Sequence, residues 1–347
     1  MPSEESGLVA SSRTEWSETQ DSKEWDDFVT QNGGSFFHLW SWRKVLEHGD
    51  SRPLYLICRD RGGRILAACP FFLEVGRRGR HISQMQLASL PDCPTAGPLV
   101  SPLAKDPAQL ISSLRKSRRS SLLHPVTAMV IKTHQQPIID LLKALGDTYD
   151  SASDLFILDL HEKPPEHVWH KGFQKHDREA VKYYEEKGTE FGFARSEGDY
   201  SDYLALERGS VLHQDERADF LQRLRSNLGS RLGVALVRFG DKTIAGNTML
   251  FDSLNSIIHL GIIRFSSIRN IHSSVTYINW KTISWANEHG FRYVNFGAYP
   301  ADKSSNPAHP FFRLKDRFEI TLVPRYRFTL SIPNVPYAIA RRINRVV

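Results

Sequence analysis

Lys171, Lys175 and Arg178 recur at spacings of four and three residues, so they share one face if the segment is helical. Three cations on one face would hold an anionic donor or precursor, and a solvated helix face has the same spacing. A second group lies in Ile268–Ser274, ahead of a strongly periodic segment. A helix N-terminus binds phosphate through free N–H groups and its dipole. Ser273 and Ser274, with Arg264 and Arg269 close in sequence, would meet it there, although a serine at that place also serves as an ordinary cap. Asn295, Gly297 and Tyr299 end an apolar run. If that run is a strand, they stand at an open sheet edge, where ligands bind. Tyr299 is a general acid or a packing residue. His213 and His272 titrate near neutrality and are candidate bases, but the sequence assigns neither a carboxylate partner. Lys315 lies beyond a Pro-, Ser- and Asn-rich loop (300–310), among Arg313, Asp316 and Arg317. A lysine there would hold a phosphate or stabilise a carbonyl oxygen.

Other chemistries lack their residues. There is no nucleophile elbow, no HExxH and no Walker loop. Cys58, Cys69 and Cys93 form no CxxC and no Cys/His cluster with zinc spacing, so no metal is expected. The basic clusters Arg77–Arg80 and Arg115–Arg119 have no aromatic residues between them. They read as solvated surface, with RNA contact the lesser reading.

The elements that must position these residues follow from periodicity. Ser22–Thr30 and 36–49 read as helices, and residues 54–80 as two strands around Asp60–Gly63. Residues 91–102 contain four prolines and read as a shaped loop. Helices follow at 107–119 and 137–145, and strands at 127–132 and 154–160. The second half opens with one basic amphipathic helix, 167–188, then a strand at 190–196. Helices fill 199–227, three strands 232–265, a long helix 273–290 and a strand 291–299. Residues 311–330 read as more strand, with Lys315 inside it.

The chain has 347 residues and a net charge of +6. That length suits two domains, and the charge favours an anionic partner or substrate. No apolar run reaches eighteen residues, and the polar N-terminus lacks the pattern of a signal peptide. A cytoplasmic protein is expected. The tail 332–347 mixes apolar residues with Arg341, Arg342 and Arg345. It would dock on the protein or lie on an anionic membrane face. The expected organisation is a disordered lead-in (1–20), an N-terminal domain (21–153), a C-terminal domain (154–331) and that tail.

The two domains read as copies. Arg59 and Arg238, Ile65 and Ile244, and Phe72 and Phe251 are each 179 positions apart. Both sets lie in strand–turn–strand hairpins that follow helical stretches. Trp42 and Val45 fall opposite Leu221 and Leu224 at the same offset.

Several segments carry a likeness to a known family. They are the basic helix Trp169–Tyr184, the hairpin return Thr243-Ile244-Ala245-Gly246, TISWANEHGFRYVNFGAY with Asn295-Phe296-Gly297, and Arg313–Phe318. Phe37-His38-Leu39 ahead of Trp42 adds an aromatic entry to the first helix. Together they resemble the FemAB-like branch of the GNAT acyltransferases, also described as the BioF-like acetyltransferase domain. Departures are Leu314-Lys315 for an FK pair, Asn295 for an aspartate, and a pyrophosphate loop, Arg269–Ser274, without glycine.

The resemblance implies an α/β (α+β) fold of two tandem GNAT-like domains, each a mixed twisted sheet flanked by helices. It implies acyl transfer to an amine on a cell-envelope or surface-polymer precursor, which is a small-molecule or lipid-linked substrate. Acyl-CoA or aminoacyl-tRNA would be the co-substrate, with no tightly bound cofactor. Lys315 would face the substrate cleft as a catalytic residue with Tyr299 and Asn295. Arg269, His272, Ser273, Ser274 and Gly297 would bind donor, and Lys171, Lys175, Arg178 and His213 substrate. The N-terminal copy, which runs into loop 91–102, would wall the acceptor cleft. The alternative is a non-catalytic GNAT-fold protein that binds an anionic ligand or RNA.

Overall fold

The computed structural model describes residues 15–47, 52–78, 81–89, 97–117, 126–144, 148–206, 214–261, 263–266, 273–299 and 315–331. Alternating and continuous apolar runs become strands, and amphipathic stretches cover their faces. The N-terminal half comprises β1 (Glu15–Glu18), α1 (Ser22–Gln31), a 3₁₀ turn (Phe36–His38), α2 (Trp40–Leu46), β2 (Arg52–Arg59), β3 (Ile65–Arg78) and β4 (His81–Ser89). It continues with β5 (Leu99–Val100), α3 (Pro107–Ser117), β6 (Val126–Thr133), α4 (Gln136–Ala144) and β7 (Thr148–Asp159). The second half begins with α5 (Pro165–His167), a π-helical turn (Val168–Gly172), α6 (Lys175–Glu186), β8 (Glu190–Phe193), α7 (Glu197–Ala205) and α8 (Gln214–Leu228). Then come β9 (Leu232–Phe239), β10 (Lys242–Asp252), β11 (Ile257–Leu260), β12 (Arg264–Phe265), α9 (Ser274–Glu288), β13 (Tyr293–Tyr299) and β14 (Thr321–Ser331).

These strands form one sheet in the order β1-β2-β3-β4-β6-β14-β7-β13-β11-β10-β9-β8, with β5 on β3 and β12 on β10. The order is symmetric about the β14–β7 pair. Each half contains one parallel pair, β4–β6 and β11–β13, and its hairpin carries a bulge next to the turn. The last strands are exchanged. β7 of the first half pairs with β13 of the second, and β14 of the second pairs with β6 of the first. The repeat-related residues Trp42, Val45, Leu221 and Leu224 meet in one core shared by α1, α2, α7 and α8. Other cores lie under α3 and α4, and under α6 and α9.

Three expectations change. Residues 15–18, expected as part of the disordered lead-in, form β1. Trp16 is buried there, and its Nε1 donates to Leu110 O at 3.1 Å. The single helix expected over 167–188 is broken at Phe173 and Gln174, both with extended ψ. Gln174 and Asp177 make a capping box that starts α6 afresh. Lys315 is not in a strand: residues 315–318 make one helical turn before β14.

Candidate functional site

β11 and β13 run parallel only as far as the His259–Asn295 pair. Beyond it, Gly261 N–H turns back to Thr248 O at 2.7 Å. On the other side, β13 carries an extra residue against β7 between Asn295 and Ala298, with Gly297 at φ +103°. Such a bulge re-aims a strand and ends its pairing, so the two strands part here. α9 connects them and runs back across the sheet, which sets its N-terminus at this opening. Ser273 caps α9 by accepting from Thr276 N at 3.2 Å, and Ser274 is buried.

Three segments nominated from the sequence converge on the opening. Asn295 Oδ1 accepts from Gly297 N at 2.8 Å, and Tyr299 OH donates to Phe296 O at 3.1 Å. Burial pushes the Tyr299 hydroxyl up. Phe296 stacks on Phe318 at 5.3 Å, and Phe318 meets Phe173 at 5.4 Å. The turn holding Lys315 is therefore packed against the bulge. It is pinned from behind: Lys163 Nζ donates to Glu319 O, His167 Nε2 lies 2.7 Å from Glu319 Oε2, and Arg317 Nε lies 3.2 Å from Asp177 Oδ2. Those contacts hold Glu319 in the left-handed region, φ +50°, a conformation that needs outside support in a residue with a side chain. Gly172 approaches so closely that a Cβ would collide with Arg317 O.

The expected basic face does not assemble. Lys171 belongs to the π turn and is exposed. Lys175 is exposed on α6, 3.7 Å from Glu179. Arg178 turns inward, its Nη1 donating to Trp169 O (3.2 Å) and Phe173 O. Arg264 lies over the Tyr203 ring at 4.6 Å. Arg269, His272 and His213 lie outside the described residues, as do residues 91–96 of loop 91–102 and the tail 332–347.

Asn295, expected as a catalytic residue, instead belongs to a buried polar seam beside the opening whose His259 and Asp252 went unnominated. His259 (β11), Asp252 (β10) and Asn295 (β13) are nearly inaccessible. Phe36 N donates to Asp252 Oδ2 at 3.1 Å, and Asn255 Nδ2 donates to both Asp252 Oδ2 (3.0 Å) and Gly34 O (3.2 Å). Burial works to raise the Asp252 carboxyl, yet His259, Asn255 and the Phe36 N–H together hold it below the usual range. His38 is fixed by Ser35 Oγ (2.9 Å) and Gly97 O (3.2 Å), and burial lowers it to about 4. His134, just past β6, is lowered to about 4 by burial, then by His259 and Arg325. Arg325 itself donates to Ser153 Oγ at 2.8 Å. The signal for His259 was a lone histidine in the apolar run IIHL, seven residues after an aspartate across a hairpin turn.

On the N-terminal side of the seam a cavity of about 870 Å³ lies between residues 99–108 and the start of α4, with Leu99, Pro102, Pro107, Gln135 and Leu141 in its walls. Among the described residues no group of three His, Cys, Asp or Glu could hold a metal ion, and no helix is long and apolar enough to cross a membrane.

The two halves of the sheet, each with one parallel pair, have the architecture of GNAT-fold units in tandem. Solved structures with this architecture are close in shape and distant in sequence. FemX aligns over 93% of this chain and 98% of its own, with TM-score 0.67 and 13% identity. A tandem GNAT protein from the clavulanic acid biosynthesis pathway aligns over 92% and 99%, with TM-score 0.62 and 13% identity. The C-terminal domain of a putative lysylphosphatidylglycerol synthetase from Agrobacterium fabrum aligns over 93% and 95%, with TM-score 0.57 and 13% identity. No family model and no curated protein sequence matches the chain. The fold is the tandem GNAT fold, mixed α/β throughout, as the FemAB-like resemblance implied.

Proposed function

We propose that this protein is an acyltransferase that moves an acyl or aminoacyl group onto an amine of a cell-envelope or surface-polymer precursor. The observation that carries the reading is the convergence, at the β11–β13 opening, of the α9 N-terminus, the Gly297 bulge and the Lys315 turn. Acyl transfer needs an anchored donor, a stabilised oxyanion and an acceptor that loses a proton. In this reading the α9 N-terminus, with Ser273, Ser274, Arg269 and His272, holds donor phosphate. Lys315 stabilises the developing carbonyl oxygen or a donor phosphate. Asn295 and Gly297 shape the cleft floor, and Tyr299 stands beside it as an acid. Lys171 and Lys175 meet the anionic part of a donor or precursor, His213 the substrate. The cavity on the N-terminal side receives the acceptor.

Among the fold relatives, the putative lysylphosphatidylglycerol synthetase is named for a lipid-linked aminoacyl product, which supports that choice of acceptor. Acyl-CoA and aminoacyl-tRNA are both candidate donors, used in the cytoplasm, with the tail 332–347 as the contact to the inner membrane face. Titration calorimetry with acetyl-CoA and filter binding with aminoacyl-tRNA test the reading: one donor binds, and neither binding would sink it. Lys315→Ala is expected to lower turnover by about 10²-fold, the scale of losing one oxyanion-stabilising group.

A further inference from the structure

Asn295, His259 and Asp252 are 1%, 4% and 1% exposed, so none of them touches a substrate. Their hydrogen bonds nevertheless form a directed chain. Gly297 N–H donates to Asn295 Oδ1 at 2.8 Å. That fixes the amide and leaves Asn295 Nδ2 facing His259 Nδ1 at 3.0 Å. An amide nitrogen only donates, so Nδ1 accepts and the ring proton sits on Nε2. Nε2 points at Asp252 Oδ2 from 3.7 Å. That is too long for a hydrogen bond, so the carboxylate favours this tautomer through its charge.

Asp252 is seated in turn by its own hairpin turn and by the other half. Phe36 N–H donates to it, Leu254 N–H donates to Oδ1 at 3.1 Å, and Asn255 links it to Gly34. The Phe37 ring meets His259 at 4.7 Å. At the other end of the chain stands a bulge with a positive-φ glycine. It interrupts the pairing of β13 with β7, so the Asn295 side chain supplies the acceptor that Gly297 N–H lacks in the ladder. A flipped Asn295 amide would lose that bond. It would also set oxygen against the Nδ1 lone pair. The opposite tautomer, with a proton on Nδ1, would favour the flip.

We propose that Asp252 and His259 are positioning residues for acyl transfer: they lock Asn295, and through it the Gly297 bulge at the mouth of the donor cleft, to the Gly34–Phe37 turn of the N-terminal half. The inference rests on reading the β11–β13 opening as the donor cleft. It gives the N-terminal half a second task besides walling the acceptor side, because its aromatic turn sets the geometry of the cleft floor in the other half.

The test uses the full chain, labelled with ¹⁵N. Imidazole spectra should find His259 in the Nε2–H tautomer. His259→Leu, which removes the acceptor, should shift the Gly297 amide resonance. His259→Asn, whose side-chain oxygen takes the place of Nδ1, should restore it. Asp252→Asn should leave the fold intact by melting and return His259 to a mixture of tautomers. With whichever donor class binds, His259→Leu should lower kcat by about 10²-fold, the scale of a 1 Å misplacement, and change KM far less. An Nδ1–H tautomer in the native protein, or a Gly297 amide unmoved in His259→Leu, overturns the inference whether or not the protein transfers acyl groups. Wild-type protein inert with both donor classes removes the positioning role through the function instead, and leaves the spectra as they are.

Discussion

The backbone N–H of Phe36 donates to the carboxylate of Asp252 across 3.1 Å, and the two residues belong to different halves of the molecule. A buried carboxylate that closes a turn in the other half couples their stabilities. Asp252→Ala strands the buried Phe36 N–H and leaves the Asn255 amide with Gly34 O alone. Leaving a buried donor of this kind unsatisfied costs about 1–3 kcal/mol. Urea unfolding should give a loss of that size, with the first half losing protection from hydrogen exchange along with the second. A loss confined to β10 and β11 would show that the halves are not coupled here.

The seam also predicts an acid-side instability. Burial lowers His38 and His134 to about 4 from an ordinary value of 6.5. Above pH 6.5 both are neutral folded or unfolded, and they cost nothing. As the pH falls below 6.5 the unfolded chain takes up their protons and the folded protein does not, so stability drops until about pH 4. Each histidine accounts for about 3 kcal/mol at the low end of that window. The denaturation midpoint should fall between pH 7 and pH 5, and His38→Asn should flatten the fall. A midpoint constant over that range would mean that neither histidine is held neutral.

Much of this architecture could be read from periodicity and repetition. The 179-residue offset pairs β2–β3 with β9–β10, and Trp42 and Val45 with Leu221 and Leu224, which share one core with them. What spacing could not reveal was exchange between the copies. β7 and β14 are each apolar strands of the right length, and nothing local says that each closes the other half's sheet. The same limit hid the seam. Asp252 and His259 come together across the β10–β11 hairpin, but His38 and the Gly34–Phe37 turn lie far off in the chain and join them only when the halves meet. The helix read over 167–188 failed for a local reason: its period is continuous, but Asp177 serves Gln174 as a cap, and that stops the helix at Gly172 and restarts it at Lys175. Lys315 was nominated for its surroundings, and the structure adds what holds it. Phe318, Arg317 and Glu319 are all tied to the 163–177 segment.

That tie makes Gly172 a sensitive position. A Cβ there would meet the Arg317 carbonyl, which belongs to backbone and cannot swing away. Overpacking of this kind costs about 1–3 kcal/mol. Gly172→Ala should lower stability by that amount and, in the proposed reading, lower turnover further by moving the Lys315 turn away from the Gly297 bulge. Equal turnover in folded variant and parent would detach the turn from the reaction.

Lys171 and Arg178 provide the last contrast. The sequence set them on one face, and the structure gives them different work. Arg178 donates to the carbonyl of Trp169, inside the π turn, and to that of Phe173, just past it. Hydrogen bonds from a charged donor contribute about 1.5–3 kcal/mol, so Arg178→Ala should destabilise the protein on that scale, and Arg178→Lys should recover only part of it, because one ammonium cannot reproduce the planar fork. Lys171 is exposed, so Lys171→Ala should change stability by less than about 0.5 kcal/mol. If its role is to meet an anionic donor or precursor, its loss should weaken binding in a salt-dependent way: the difference between variant and parent shrinks as ionic strength rises and screens the contact. An affinity difference that persists unchanged at about 1 M salt, where the screening length is about 3 Å, would assign Lys171 a packing role instead.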